Sequence, residues 1–368
     1  MTASDKTAPT PNPFILDIAP YVGGEARIAG AQRVIRLASN ESALGPSPRA
    51  IAAFRDVAND LFRYPDGASG ELRQAIAAHF GLDAERIVCG TGSDELISLL
   101  ARAYAGPGDE VIYSRHGFLM YPLAAQAVGA TPVAVPEPNL IADPEAILAH
   151  VTPRTKLVYL ANPNNPTGTY ISRDAVRKLH AGLPRSTILV LDAAYAEFVA
   201  RNDYEPGLEL AASEPNVVML RTFSKIHALA ALRVGWMYGS AAIVDAMNRI
   251  RGTFNVGLPA QAAAIASLAD TDALRRAHDH NNKWRPFLED EIRKLGFAVN
   301  PGSVANFVLV KFGAKPKDAE AAREFLKSRF ILVRQMGAYN LPEHLRITVG
   351  TEEENRAVVA ALAEFARK

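Results

Sequence analysis

Short runs of apolar residues alternate with helical patterns between about residue 85 and residue 220 of the chain. The runs read RIVCG, EVIYS, TPVAVP, KLVYLAN, TILVLD and NVVMLRT. Apolar runs bounded by turn residues and separated by stretches with a helical period are typical of parallel strands joined by crossover helices. The pattern therefore predicts an α/β sheet that is covered by helices on both faces.

The pattern changes after about residue 265, where a charged helical stretch is followed by the apolar runs FAVN, ANFVLVKF, ILVRQ and LRITVG. Fewer strands and longer helices predict a smaller α+β domain. Its last helix should begin at a capping box, because Thr351 is followed three positions later by Glu354. We therefore predict an N-terminal arm (1–44) that packs with a small C-terminal domain (266–368), and a large ligand-binding domain (45–265).

Composition narrows the classes of function. The 368 residues include 40 Lys and Arg against 39 Asp and Glu, a formal charge of +1, so the chain lacks the basic character of a general nucleic-acid binder. No apolar run approaches the roughly 18 residues of a membrane span. The single cysteine, Cys89, excludes an internal disulfide and favours a reducing, cytoplasmic location. We expect partners that are small molecules, with neither nucleic acid nor membrane among them.

Several common catalytic motifs do not fit. Gly90 and Gly92 follow a strand and open a helix, but Glu95 occupies the third glycine position of a dinucleotide fingerprint. The phosphate-binding pattern GxxxxGK[ST] and the GxSxG nucleophile elbow are absent from the sequence. His278 and His280 are two positions apart, which does not match the spacing of a zinc-binding helix. We expect no metal site.

Four polar motifs stand at the ends of apolar runs. They are GTGSDEL from Gly90, NPNNPTG from Asn162, LDAAY ending at Tyr195, and TFSKIHALAALR from Thr222 to Arg233. Open α/β sheets bind their ligands outside the carboxyl ends of the strands. The four motifs therefore predict one shared site.

The ordered motifs, with LASNES near Asn40, RYPDG at Arg63 and LRITVGTEEEN near the end, resemble the histidinol-phosphate aminotransferase family. This family lies within the pyridoxal-phosphate-dependent aminotransferases of fold type I, and the resemblance covers nearly the whole chain. It implies a large cofactor-binding domain with a mostly parallel central sheet flanked by helices, and a smaller α+β domain. It also implies pyridoxal 5'-phosphate as the cofactor and a homodimer.

The resemblance assigns roles around the cofactor ring, and residue chemistry supports them. Lys225 is the catalytic lysine that forms a Schiff base with the cofactor aldehyde. Asp192 would pair with the protonated ring nitrogen, and its other interpretation is a turn or capping acid. Tyr195 and Asn165 would donate hydrogen bonds to the phenolic oxygen, although NPNNPTG is also a good turn sequence.

The cofactor phosphate and ring face involve a second group of residues. The phosphate would be held by the backbone amides of Gly92 and Ser93, the hydroxyl of Ser224 and the guanidinium of Arg233. Phe118 aligns with the aromatic residue that stacks on the ring in the family, with a core phenylalanine as the alternative. Tyr64 matches the residue that reaches the cofactor phosphate of the neighbouring subunit, with an ordinary turn tyrosine as the alternative.

The resemblance also assigns the substrate side of the site. Arg346 matches the arginine that binds an α-carboxylate, and Arg334 and Tyr21 match positions around the substrate phosphate. Asn40 is a further substrate-side candidate. The implied reaction converts histidinol phosphate and 2-oxoglutarate to imidazole acetol phosphate and glutamate by ping-pong kinetics.

Some positions depart from the family pattern, so alternatives stay open. His227 stands where an aromatic residue is common, Ala228 and Ala231 stand at glycine positions, and HGFLMY lacks the usual Pro and Thr. We interpret His227 as a packed histidine. The alternatives are an aminotransferase for phenylalanine or tyrosine, a threonine-phosphate decarboxylase, and a non-catalytic cofactor-binding regulator. A regulator of this kind would need an attached DNA-binding domain. The roughly 40 residues before the first motif are too few for a typical domain.

Overall fold

The computed structural model describes residues 9–20, 23–25, 27–30 and 33–368. The described helices are α1 (Pro13–Leu16), α2 (Pro48–Asp56), α3 (Gly70–Phe80), α4 (Ser93–Tyr104), α5 (Met120–Ala127), α6 (Pro144–Ala149), α7 (Arg173–Gly182), α8 (Leu208–Ser213), α9 (Ala241–Ile250), α10 (Leu258–Ala269), α11 (Thr271–Lys294), α12 (Ala319–Ser328) and α13 (Glu352–Arg367). The described strands are β1 (Ile35–Leu37), β2 (Ile87–Gly90), β3 (Glu110–Ser114), β4 (Thr131–Val135), β5 (Thr155–Ala161), β6 (Ile188–Asp192), β7 (Val217–Thr222), β8 (Gly235–Tyr238), β9 (Ala298–Val299), β10 (Phe307–Lys311), β11 (Ile331–Gln335) and β12 (His344–Thr348). Tyr21, one of the predicted substrate contacts, lies outside the described residues.

The first sheet has seven strands in the order β2-β8-β7-β6-β5-β3-β4. Strand β8 runs antiparallel to its neighbours β2 and β7, and the other neighbouring pairs are parallel. All six apolar runs predicted between residues 85 and 220 form strands, β2 to β7. The predicted α/β class with a mostly parallel central sheet is therefore confirmed.

Two apolar cores cover the two faces of this sheet. Ile112, Val158 and Leu189 belong to one core, and their chain neighbours Val111 and Leu157 belong to the other. Successive side chains of a strand point to opposite faces, so a strand buried on both faces must be apolar throughout. This requirement explains why the strands could be recognised as continuous apolar runs.

The second sheet has five strands in the order β1-β11-β12-β10-β9. Strand β1, from the N-terminal part of the chain, pairs in parallel with β11, and the remaining pairs are antiparallel. Helices α11, α12 and α13 pack against this sheet around a third apolar core. Helix α13 begins at the predicted capping box, in which the Thr351 hydroxyl accepts from the Glu354 backbone and the Glu354 carboxylate accepts from the Thr351 backbone.

Strands β5, β6 and β7 end side by side, and each end carries a polar residue. Asn162 follows β5, Asp192 is the last residue of β6, and Thr222 is the last residue of β7. The Asn162 backbone N–H donates to the Asp192 carbonyl at 2.9 Å, which fixes the first two strand ends together. The predicted motifs thus meet at the carboxyl edge of the parallel strands, where ligands bind in this class of sheet.

Candidate active site

A cavity of about 260 Å³ is lined by residues of both sheets and contains most of the predicted site residues. Its wall includes Asn40, Ser93, Phe118, Asn165, Asp192, Tyr195, Ser224, Lys225, Arg233, Arg334 and Arg346. Gly92 directly precedes Ser93 at the start of α4. Tyr64 is not among the described residues of this wall.

Lys225 lies in the tight turn that follows β7. The turn is closed by two backbone hydrogen bonds, from Phe223 to the Val234 carbonyl at 3.0 Å and from Leu229 to the Phe223 carbonyl at 2.9 Å. Burial, with the positive charge of Arg346, lowers the pKa of Lys225 to about 8. A lysine in this position is neutral for a much larger fraction of the time than an exposed lysine, and a neutral amine is a nucleophile and a base.

Asp192 is a buried carboxylate at the end of β6. The Tyr121 hydroxyl donates to its Oδ2 at 2.7 Å, and the backbone N–H of Ala194 donates to its Oδ1 at 3.2 Å. Burial raises the pKa of Asp192 to about 6, against the effect of these two hydrogen bonds. The carboxylate can therefore stabilise a cationic group that enters the cavity.

Tyr195 and Asn165 place further hydrogen-bonding groups in the cavity wall. The Tyr195 hydroxyl accepts from Asn40 Nδ2 at 2.8 Å, and burial raises the pKa of Tyr195 to about 12, so the phenol keeps its own proton as a donor. The Asn165 oxygen accepts from a guanidinium nitrogen of Arg346. Its amide nitrogen is then the group that can donate to a ligand.

Asn40 lines the cavity, as a substrate-side residue would, and its side chain also contacts neighbouring protein groups. Besides its bond to Tyr195, its Oδ1 accepts from the Thr348 hydroxyl at 3.2 Å, and its carbonyl accepts from Asn306 at 3.1 Å. These partners belong to both sheets. In this structure, Asn40 holds Tyr195 in place and connects the two sheets.

An anion cradle forms where α4 begins. Gly92 has φ +79°, and a Cβ at this position would lie 2.5 Å from an Arg233 nitrogen, so the turn requires glycine. Arg233 donates to the Ser224 hydroxyl at 3.3 Å and to Asp94 at 3.0 Å. Backbone amides at a helix N-terminus, a serine hydroxyl and a guanidinium together are suited to a phosphate group.

Glu95 stabilises this cradle, a role that the sequence did not reveal. Its Oε2 accepts from the Thr91 backbone at 2.6 Å and from the Asn255 side chain at 2.8 Å. The Thr91 hydroxyl donates to the Asn255 carbonyl at 2.7 Å. Glu95 at the third glycine position of the rejected dinucleotide pattern thus fixes the turn that precedes Ser93.

Two arginines face each other on the second sheet. Arg334 of β11 and Arg346 of β12 are direct partners in the antiparallel register, and both line the cavity. Arg346 is buried and also donates to the Ala38 carbonyl at 2.8 Å. Like charges placed opposite each other on a sheet repel, and a bound anion relieves this repulsion.

The remaining predicted residues have distinct surroundings. Phe118 lines the cavity and meets Tyr121 edge to face, with ring centroids 5.9 Å apart. Tyr64 is 82% exposed and stacks on Phe254. His227 is buried, with its ring nitrogen 2.7 Å from the Ser267 hydroxyl, and burial lowers its pKa to about 4. These contacts agree with the interpretation of His227 as a packed, neutral histidine.

Comparisons with known proteins agree with this site. Residues 32–362 match the sequence profile of the family described as Aminotransferase class I and II. The chain is 56% identical to the histidinol-phosphate aminotransferases of Paramagnetospirillum magneticum and Rhodospirillum centenum, in each case over 98% of this chain and 99% of the relative. It also resembles the crystal structure of histidinol-phosphate aminotransferase from Sinorhizobium meliloti in complex with pyridoxal-5'-phosphate, with 34% identity and a TM-score of 0.89 over 96% of this chain and 97% of that one.

The fold and the profile match define the class as the class I and II aminotransferases. The chain belongs, within this class, to the histidinol-phosphate aminotransferase family. Within the described part of the chain, no helix is long and apolar enough to cross a membrane, and no group of three or more His, Cys, Asp or Glu residues could hold a metal ion.

Close packing against the cradle leads to a prediction about Gly235. A Cβ at Gly235 would lie 2.5 Å from the Ser93 backbone nitrogen and 2.7 Å from the Gly92 carbonyl carbon, so Gly235→Ala must displace the turn. We expect a loss of about 1–3 kcal/mol in the free energy of unfolding, measured by urea denaturation. The control is Gly252→Ala, whose Cβ would contact only the Asn255 Cβ at 3.7 Å. Equal stability of both variants would contradict this account of the packing.

Proposed function

We propose that this chain is a pyridoxal 5'-phosphate-dependent aminotransferase that transfers the amino group of histidinol phosphate to 2-oxoglutarate by a ping-pong mechanism. The observation that carries the proposal is the placement of Lys225, Asp192 and the anion cradle around one cavity that also contains the arginine pair. The 56% identity to relatives named histidinol-phosphate aminotransferase supports the substrate.

The residues present fit the cofactor at each of its functional groups. Gly92, Ser93, Ser224 and Arg233 would hold the phosphate, Asp192 the ring nitrogen, Tyr195 and Asn165 the phenolic oxygen, and Lys225 the aldehyde carbon. Phe118 offers an aromatic face beside Tyr121. When bound, pyridoxal phosphate supplies an electron sink that acidifies the Cα–H bond of the substrate.

Lys225 is the base in this proposal. Its lowered pKa, about 8, increases the fraction of neutral amine near physiological pH, and its Nζ would take the proton from the substrate Cα once the substrate amine has replaced it. The positive charge of Arg346 favours the neutral form of this amine. The same side chain therefore first holds the cofactor and then moves a proton.

Arg334 and Arg346 can bind the anionic groups of both proposed substrates. Histidinol phosphate carries a phosphate ester where an amino acid has its carboxylate, and glutamate has two carboxylates. Two adjacent guanidinium groups can pair with either set of anionic oxygens. This pair favours histidinol phosphate over an aromatic amino acid, whose single carboxylate needs one arginine. The base and the electron sink favour a transaminase over a binding protein without catalysis.

The proposal includes a homodimer in which Tyr64 contacts the cofactor phosphate of the partner subunit. The support is an exposed apolar surface formed by Ile51, Phe54, Leu61, Phe62, Tyr64 and Phe254. Exposed apolar side chains of this number on neighbouring segments are typical of an interface between subunits. Because Tyr64 lies on this surface and not in the wall of its own chain's cavity, a second copy is the natural recipient of its hydroxyl.

We further propose the division into an arm (1–44), a large cofactor-binding domain (45–265) and a small domain (266–368). The pairing of β1 with β11 supports the contact between arm and small domain. A cytoplasmic location belongs to the same proposal and is supported by the single cysteine, Cys89, which is free and buried.

Lys225→Ala should abolish the half-reaction with histidinol phosphate. Removing a base that also holds the cofactor should lower the single-turnover rate by at least about 10²–10⁴-fold, followed through the cofactor absorbance. Lys178→Ala, which removes an exposed lysine paired with Glu145, is the matched control and should keep the wild-type rate. A Lys225→Ala protein with wild-type turnover would exclude the proposed role.

Substrate choice can be tested by mixing the loaded enzyme separately with histidinol phosphate, glutamate and phenylalanine. Histidinol phosphate and glutamate should react fast and phenylalanine slowly. Arg334→Gln should reduce the rate constant for histidinol phosphate at low substrate concentration by about 10–100-fold, because it removes one charge-assisted hydrogen bond. The rate constant for phenylalanine should fall less. Wild-type preference for phenylalanine would assign aromatic transamination instead.

Shared sites in a dimer can be tested by mixing an inactive Lys225→Ala chain with a Tyr64→Phe chain of reduced activity. Tyr64→Phe should lower activity at limiting cofactor, because it removes one phosphate hydrogen bond. In a mixed dimer, the Tyr64→Phe chain keeps its Lys225 and the Lys225→Ala chain keeps its Tyr64. One of the two sites then has both residues intact, so activity should recover after subunit exchange. No recovery under conditions where mixed dimers form would mean that Tyr64 does not act across the interface.

A further inference from the structure

Tyr121 is a fully buried tyrosine of the cavity wall, and its hydroxyl contacts Asp192. It is the second residue of α5, and it donates to Asp192 Oδ2 at 2.7 Å. The other carboxylate oxygen accepts from the backbone N–H of Ala194. The two donors hold both oxygens of Asp192 from the protein side.

The Tyr121 ring is itself fixed by aromatic contacts. It lies parallel to the Tyr159 ring, with centroids 4.8 Å apart and an angle of 2° between the ring planes. Tyr159 is anchored by its own hydroxyl, which donates to the Ile97 carbonyl at 2.8 Å. Phe118 meets the Tyr121 ring edge to face. Stacked and edge-on contacts restrict the ring to one orientation, so the hydroxyl is held on Asp192.

We propose that Tyr121 is a positioning residue for the reaction, whose hydroxyl holds the Asp192 carboxylate in the orientation and the ionised form that retain a proton on the cofactor ring nitrogen. This inference rests on the proposed function, because it concerns the same cofactor site. Tyr121 lies in the cavity wall next to Asp192, and its hydroxyl acts through Asp192.

The electrostatic surroundings of Asp192 make this hydrogen bond important. Burial raises the pKa of Asp192 to about 6, close to neutrality, and the Tyr121 hydrogen bond is the largest of the effects that lower it. Asp192 also interacts electrostatically with Asp94, Lys225, Tyr159, Tyr195 and Tyr204. The pKa of Tyr121 lies well above its ordinary value, because of burial and the nearby Asp192, so the phenol stays protonated as a donor throughout the physiological range.

The direction of the effect follows from these contacts. Loss of the Tyr121 hydroxyl removes an interaction that favours the charged carboxylate, so the pKa of Asp192 rises further. A neutral carboxyl group attracts a protonated ring nitrogen less strongly. Affinity for the ring should therefore begin to fall at a higher pH in the variant than in the wild type.

The test uses pyridoxine 5'-phosphate, which has the ring nitrogen and phosphate of the cofactor but no aldehyde, so Lys225 cannot attach to it. Its dissociation constant is measured on cofactor-free protein by equilibrium dialysis between about pH 5 and pH 8. In Tyr121→Phe, the decline in affinity on the acid side should move up by about one pH unit, with roughly tenfold weaker binding near pH 6, since one pKa unit is a factor of ten.

Tyr159→Phe is the matched control, because it removes a buried hydroxyl from the same stack and leaves the bond between Tyr121 and Asp192 intact. It should keep the wild-type pH profile even if it lowers the melting temperature. Titration of the probe's own phosphate contributes equally to all three proteins. An unchanged acid limb in Tyr121→Phe, or an equal shift in Tyr159→Phe, would overturn the inference.

A second measurement separates orientation through Asp192 from general packing. In an Asp192→Asn background, Tyr121→Phe should change the affinity for the probe less than twofold, since the group on which it acts is gone. Equal weakening in both backgrounds would mean that Tyr121 only fills space, and would overturn the proposal. Failure of the wild type to bind the probe at any pH would instead contradict the proposed function.

Discussion

The burial of a carboxylate at the end of β6 is the constraint on which the rest of the site depends. A charged carboxylate taken out of water is destabilising unless hydrogen bonds and nearby positive charge stabilise it. In this protein the Tyr121 hydroxyl and the Ala194 backbone provide the hydrogen bonds, and Lys225 provides a favourable charge. The arrangement ties α5, β6 and the turn after β7 together. The geometry of the site therefore follows from the need to stabilise Asp192.

The anion cradle depends on a second constraint, the close approach of two backbone segments. Gly235 opens β8 directly against the start of α4, where even a methyl group would meet backbone atoms. Glu95 and Asn255 hold the preceding turn from the other side. The amides of Gly92 and Ser93 are therefore oriented before any anion binds, which lowers the cost of ordering them on binding.

Much of this fold could be predicted from the sequence, for a physical reason that also explains the omissions. Strands β3, β5, β6 and β7 are buried on both faces and read as continuous apolar runs. Strands β1 and β8 were not predicted, and each depends on pairing with a strand that is distant in the sequence. The motif residues at strand ends could be predicted to meet, because parallel strands carry their carboxyl ends to one edge.

The supporting residues could not be predicted in the same way. Tyr121 lies near the start of a helix, in a pattern of apolar residues, and nothing in the nearby sequence distinguishes it from a core tyrosine. Its partner Asp192 is 71 positions further along the chain. Glu95 was visible only as a residue that spoiled a glycine pattern. Asn40 was predicted on the substrate side and lines the cavity, but its contacts with Tyr195 and Thr348 could not be predicted because they depend on the two sheets coming together. Long-range partners of this kind carry no signal in local sequence.

The second sheet contributes its own constraint, the direct pairing of Arg334 with Arg346. Two guanidinium groups on facing positions repel each other, so other contacts must offset this repulsion. Arg346 is held by the Ala38 carbonyl of the N-terminal segment and by Asn165 in the loop after β5. These contacts bring the pair to the cavity that contains Lys225, and they connect the arginine pair of one sheet to the polar residues at the strand ends of the other. An anion between the arginines would therefore also stabilise the relative placement of the two sheets, so that anion binding and the placement of Lys225 in the cavity are favoured by the same interactions.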